Sequence, residues 1–184
     1  MSLFSYLTDF CRRDPEAARQ AAEDRAWRRE ESIFQRLIKT REDFQRTPLG
    51  AWSTSGTANV VLGTSLATAA IQPADRIRAI VQEVACIAME KRFCGIVSNL
   101  AETLVVGVCR QKQSEQEVLR AAELLEVIYK RDRTYATPDD IAMLAAAANN
   151  PKVAQSAQDS INRLLLIIRS NSTQPVPADG HYPK

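Results

Sequence analysis

The sequence predicts an all-α protein in which a long N-terminal helix precedes a compact body of stacked antiparallel helical hairpins. Three observations predict this class. Apolar residues recur at helical spacing along most of the 184 residues. Helix-start signals at Asp14-Pro15, Ser114–Glu117 and Thr137-Pro138 divide the chain into segments of helical length. Hydrophobic residues at 45% and charged residues at 25% are ordinary globular usage.

The chain divides by composition into four regions. We predict an N-terminal helical arm at 1–46, an uncharged loop and small-residue helix at 47–72, a helical body at 73–170, and a disordered tail at 171–184. The tail carries three prolines and shows no pattern of apolar residues that would fill a core.

The arm combines a short amphipathic helix with a much longer one. Residues 2–11 place Leu3, Leu7 and Phe10 on one side of a helix. Asp14 then caps a helix that starts at Pro15 and meets no Gly or Pro until about Arg46. Nine basic residues from Arg13 to Arg46 and eight acidic residues from Asp14 to Asp43 nearly cancel. An apolar stripe follows one side, and its members are Ala26, Trp27, Ile33, Phe34, Leu37, Ile38 and Phe44.

No charged residue occurs between Thr47 and Ala74. We predict a loop over 47–56 and a buried helix over 57–71, in which Ala58, Gly63 and Ala67 permit close helix contact. The Thr, Ser, Asn and Gln content of this stretch makes insertion into a bilayer unfavourable, so a membrane span is not expected.

Helical periodicity continues through the body. We predict helices over 74–92, 96–111, 114–131 and 138–149, and a last helix that Asn150-Pro151 opens and that runs through Ile168. The helix at 96–111 is apolar nearly all round at its end, which predicts the central position in the fold. A buried strand over Thr103–Cys109 is the alternative.

Residues 114–129 and 150–168 resemble each other, with Val118 and Val153 at 35 residues' spacing. The segment 149–157 is similar to the turn and second helix of HEAT-type repeats. This likeness covers about 30 residues and rests on a cap, a proline and aliphatic spacing. It implies a helical bundle or a short HEAT-like array and carries no family assignment.

Most chemistry-bearing patterns are missing from the sequence. The only His is His181 in the tail, and Cys86, Cys94 and Cys109 lack metal-site spacing, so we expect neither a metal site nor a cofactor. No Gly-x-Ser-x-Gly elbow or Walker sequence is present, and we expect no catalytic residue. With no secretory signal pattern, the cysteines are expected to be reduced and the protein cytoplasmic.

The first functional hypothesis is a protein–protein interaction module, acting as an adaptor, regulatory factor or assembly subunit. Seven of the eleven aromatic residues lie within the first 52 residues. A 32-residue helix is about 48 Å long, longer than a compact body of this size. We therefore expect Trp27, Phe34, Leu37 and Phe44 to contact a protein partner, a second copy or the chain's own body.

The second hypothesis is nucleic-acid binding. The segment Tyr129–Tyr135 places Lys130, Arg131 and Arg133 between aromatic residues, a pattern that can contact phosphates and bases. The net charge of only +2 and the near cancellation along the arm favour the first hypothesis.

Overall fold

A computed structural model describes residues 15–51, 56–110 and 113–170. Within these ranges every regular element is helical, and the prediction of an all-α fold with a long N-terminal helix is confirmed. A 3-10 turn at Arg133–Tyr135 separates the fifth and sixth α-helices. The α-helices are α1 (Pro15–Arg46), α2 (Thr57–Ala70), α3 (Asp75–Glu90), α4 (Cys94–Cys109), α5 (Glu115–Arg131), α6 (Pro138–Ala148) and α7 (Gln155–Ser170).

Two helices begin where the sequence encodes a capping box. The Ser114 hydroxyl accepts a hydrogen bond from the Glu117 amide, and the Glu117 carboxylate accepts one from the Ser114 amide. Thr137 and Asp140 repeat this exchange at the start of α6, where Pro138 occupies the first helical position. Such caps satisfy amide groups that have no partner inside the helix, so they fix the starting residues.

The contacts divide the helices into two layers. In the first layer α1 packs on α3, and α5 packs on α7. Helices α1 and α3 run parallel, because Glu30 pairs with Arg76 and, further along both helices, Arg41 pairs with Glu83. In the second layer α4 packs on α2 and on α6. The consecutive pairs α4–α5 and α6–α7 join the layers as helical hairpins, whereas α5 and α6 make few contacts with each other.

The centre of the molecule is α4, which contacts α2, α3, α5 and α6. Its side chains Val97, Leu100, Ala101 and Val105 are fully buried. The prediction that this helix, apolar nearly all round at its end, is central in the fold is therefore confirmed. The alternative of a strand over Thr103–Cys109 is wrong, because this segment forms the last turns of α4.

The closest helix contact in the second layer depends on Gly63. A Cβ atom placed there would lie 2.7 Å from the Asn99 Cβ, 2.9 Å from the Leu100 amide nitrogen and 3.0 Å from the Ile96 carbonyl oxygen. Two of these three atoms belong to the backbone of α4, which cannot move aside independently. The missing side chain thus lets α2 lie directly on α4.

The start predicted for the last helix is wrong. Asn150-Pro151 forms a turn in which the Asn150 side chain accepts a hydrogen bond from the Lys152 amide and the Asn150 carbonyl accepts one from the Val153 amide. These bonds close the turn, and α7 begins at Gln155. An Asn before a Pro occurs in turns as well as at helix N-caps, and here Asn150 forms a turn. The predicted helix at 2–11, the Asp14 cap and the tail at 171–184 lie outside the described residues.

Candidate partner-binding site

The two halves of α1 have different surroundings. Every residue from Pro15 to Arg29 is exposed, whereas the stretch from Glu30 to Arg46 packs along α3. The change occurs where α3 begins, since Arg76 at its start lies against Glu30 and Glu31. About 22 Å of α1 therefore extends past α3 with no helix of the described body alongside it.

Polar contacts fix the inner half of α1 on α3. The Arg76 guanidinium donates to the Glu30 carboxylate at 2.6 Å and to the Glu31 carboxylate at 2.8 Å, and lies 4.9 Å from the centre of the Phe34 ring. The amide of Gln35, followed by Arg76, lowers the pKa of Glu31, while the two carboxylates raise the pKa of Arg76. Both groups therefore stay charged near neutral pH, and α1 is held at a defined angle.

The four residues predicted to contact a partner or the chain's own body separate into two groups. Phe44 is only 2% exposed and packs edge-to-face on Phe93 with ring centres 5.2 Å apart, and Leu37 is also buried. Phe34 is half-buried beneath Arg76. These three contact the chain's own body, and only Trp27, which is 61% exposed, presents its ring to the surface.

A groove separates α1 from α2. The two helices hardly touch each other, because α1 lies on α3 while α2 lies on α4. The space between them measures about 650 Å³, and it is lined by Ile33 and Leu37 from α1 and by Val61, Leu62 and Leu66 from α2, among others. The groove lies on the outer surface at one end of the helical stack.

The prediction that residues 57–71 form a buried helix is wrong for one of its faces. The side of α2 that carries Leu66 and Ala67 is buried, but Val60 and Val61 are exposed, Val61 by 57%. An uncharged sequence does not distinguish a helix covered on all sides from one that borders an open apolar groove. The groove is therefore absent from the sequence-based prediction, and the exposed Val60 and Val61 are the residues that identify it.

The basic cluster proposed for nucleic-acid binding lies at the end of α5. Lys130 pairs with Glu126 at 2.6 Å, and Arg131 pairs with Glu90 at 2.7 Å. Arg133 is half-buried. The flanking rings of Tyr129 and Tyr135 are buried, so neither can stack on a base. The structure does not bring these residues together as an uncompensated cationic surface.

Cys109, Tyr129 and Asp140 lie near one another where α4, α5 and α6 meet. Burial, with a smaller effect of the Asp140 charge, raises the pKa of the Cys109 thiol to about 11, and burial also raises the pKa of Tyr129. The Asp140 carboxylate is occupied by the capping box of α6. Since a protonated thiol is a poor nucleophile, Cys109 is suited to packing.

Metal ligands do not converge in the described part of the chain, where no group of three or more His, Cys, Asp or Glu side chains could hold an ion. Among the helices at 15–51, 56–110 and 113–170, none is long and apolar enough to cross a bilayer. Comparison with protein-family models, with curated protein sequences and with solved structures returns no match to this chain.

Proposed function

We propose that this chain is a non-enzymatic protein–protein interaction module that binds through its N-terminal helices, as an adaptor, a regulatory factor or an assembly subunit. The observation that carries the proposal is the exposed half of α1 from Pro15 to Arg29, with the Trp27 ring 61% exposed on it. This half continues directly from the packed half of α1, which supplies the helical nucleus, so a partner that covers it meets a segment that needs little further ordering.

Trp27 is the proposed anchor. Large aromatic side chains dominate interface energies because they bury a wide rigid surface at little cost in conformational entropy. Trp27 and Phe34 lie seven residues apart and therefore on nearly the same side of α1. A partner that covers Trp27 would continue the surface that α3 provides for Phe34.

Two further considerations support this choice of function. The ion pairs of Lys130 and Arg131 leave little free positive charge at the cluster considered for nucleic acid. Within the described residues, Cys86, Cys94 and Cys109 are free thiols, which agrees with the cytoplasmic setting that we propose.

The test compares Trp27→Ala with Leu166→Ala, which removes an equally exposed apolar side chain from α7. Light scattering gives the molar mass of each purified chain, and quantitative capture from the native extract measures association with other proteins. We expect Trp27→Ala to lose association with its melting temperature unchanged, while Leu166→Ala behaves as the wild type. A Trp27→Ala chain that associates like the wild type, or that loses association only because it melts earlier, refutes the proposal.

A further inference from the structure

We infer that the groove between α1 and α2 is the docking site for an acidic amphipathic helix of a partner protein. The inference rests on the proposed function and specifies where the partner binds and what its binding segment must be.

The groove has the length of a short helix. It follows α1 from Arg29 to Thr40, a distance of about 17 Å, which corresponds to three helical turns. Its accessible apolar surface comes from the exposed Val60 and Val61 and the half-buried Ile33 and Leu62, and the buried Leu37 and Leu66 lie at its base. An amphipathic helix that lies in such a groove buries apolar side chains spaced three and four residues apart.

Positive charge borders the groove on the α1 side. Arg29 and Arg36 line it directly. Arg25 precedes Arg29 by one turn and Lys39 follows Arg36 by three residues, so both share this side of the helix. Asp43 is the first acidic residue on this side, and it lies past the end of the groove at Thr40.

Over the length of the groove, from Arg29 to Thr40, the acidic residues of α1 do not compensate this rim. Glu30 and Glu31 are turned toward α3, where both pair with Arg76, and Glu23 pairs with Arg19. The α2 side contributes no charge, since no charged residue occurs between Thr47 and Ala74. The described residues thus form an apolar channel with one cationic edge and one neutral edge.

This combination favours an acidic amphipathic helix over three other occupants. A nucleic-acid backbone could pair with the arginines but would leave the apolar surface of Val60 and Val61 uncovered. An anionic bilayer would fit a convex apolar face better than a channel with walls on two sides. A second copy that used the same groove symmetrically would bring the two cationic edges together.

The test is fluorescence polarisation of the full chain with a labelled peptide of about 14 residues. The peptide carries leucines at three- and four-residue spacing, glutamates at about half of the remaining positions and alanines elsewhere. Two matched peptides carry lysines in place of the glutamates, or the same composition in scrambled order. We expect the acidic peptide to bind at least about tenfold more tightly than either, with an affinity that falls as salt is added.

Variants locate the binding. Val61→Glu, at a side chain 57% exposed, should weaken the acidic peptide about tenfold or more. The double variant Arg29→Glu, Arg36→Glu should weaken it about tenfold and remove most of its salt dependence. The controls Leu166→Glu and Lys152→Glu change exposed residues remote from the groove and should bind as the wild type does. Circular dichroism checks that each variant is folded.

Several results would overturn the inference. These are equal affinity for the lysine peptide, no effect of Val61→Glu in a folded chain, or tighter binding of a single-stranded oligonucleotide or of phosphatidylserine vesicles. A dimer that Val61→Glu dissociates would assign the groove to a second copy. If the acidic peptide fails to bind while Trp27→Ala still abolishes capture of a partner, the groove inference falls and the proposed function stands. The reverse pattern refutes the role of Trp27 and keeps the groove.

Discussion

The close contact between α2 and α4 predicts opposite effects on stability when Gly63 and Gly107, which both lie inside helices, are replaced by alanine. Gly63→Ala places a methyl group 2.9 Å from the Leu100 amide nitrogen and 3.0 Å from the Ile96 carbonyl oxygen. Relief of that overlap requires α2 to move away from α4, and overpacking against two backbone atoms costs about 2–3 kcal/mol, the upper part of the usual range. The higher helix propensity of alanine returns about 1 kcal/mol. We therefore expect a net loss of about 1–2 kcal/mol in the free energy of unfolding.

Gly107→Ala is the matched control, because it makes the same change inside α4. The nearest atom to the added methyl group is the Gln113 side-chain nitrogen at 3.2 Å, at the end of a flexible chain that can shift. Without a backbone overlap, the propensity gain remains, and we expect this variant to be unchanged or more stable by up to about 1 kcal/mol.

Urea unfolding followed by circular dichroism measures both variants against the wild type. The midpoints should move in opposite directions, with unchanged dependence on urea concentration. On heating, the Gly63→Ala chain should melt about 2–8 °C below the wild type. A Gly63→Ala variant that is as stable as Gly107→Ala would refute the close contact of α2 with α4.

Three further predictions follow from named contacts. Phe44→Ala should lower the free energy of unfolding in urea by about 3–5 kcal/mol, because it removes a buried ring that packs on Phe93. Trp27→Ala, at an exposed ring, should change it by less than about 0.5 kcal/mol. Equal losses would contradict the assignment of Phe44 as buried and Trp27 as exposed. The amide and hydroxyl of Ser114 lower the pKa of Glu117, so its contribution to stability is present above the unfolded pKa of about 4.3 and is lost as pH falls through the lower folded value. Glu117→Gln should therefore lower the urea midpoint near about pH 7, with a gap to the wild type that closes toward about pH 3, and a gap independent of pH would argue against the capping role. Arg92 has a left-handed backbone with φ of 58°, so Arg92→Gly should raise the free energy of unfolding by up to about 1 kcal/mol, measured by urea unfolding; a destabilised variant would show that the Arg92 side chain contributes more to stability than relief of its backbone.

Local signals in the sequence predict the helix boundaries well where a cap is encoded. Ser114 with Glu117 and Thr137 with Pro138 mark starts that the structure has at the same residues. The start of α7 could not be predicted from Asn150-Pro151, since the same dipeptide closes a turn when Lys152 and Val153 donate to Asn150.

The environment of the aromatic stripe depends on a neighbour distant in sequence. Trp27 and Phe34 lie on nearly the same side of α1, and no local property separates them. Phe34 is covered because Arg76 lies above it, and Trp27 is exposed because α3 starts at Asp75 and has no residue beside it.

The groove also results from packing between helices that are distant in sequence. Its walls belong to helices joined in sequence but packed on different neighbours, α1 on α3 and α2 on α4. The sequence shows that α2 is apolar and uncharged but does not show that Val61 faces an open channel. The cationic edge could have been found from the spacing of Arg25, Arg29, Arg36 and Lys39, once that side of α1 was known to be open.

Whether the chain leaves the outer half of α1 uncovered is tested most directly by amide hydrogen exchange along α1 in the purified, monomeric full chain. We expect fast exchange from Arg19 to Arg29, where no described helix packs on α1, and slow exchange from Leu37 to Arg46, where α3 covers it. Uniformly slow exchange along all of α1 in a monomer would show that the chain covers its own outer half, and the surface proposed for partner binding would not be available.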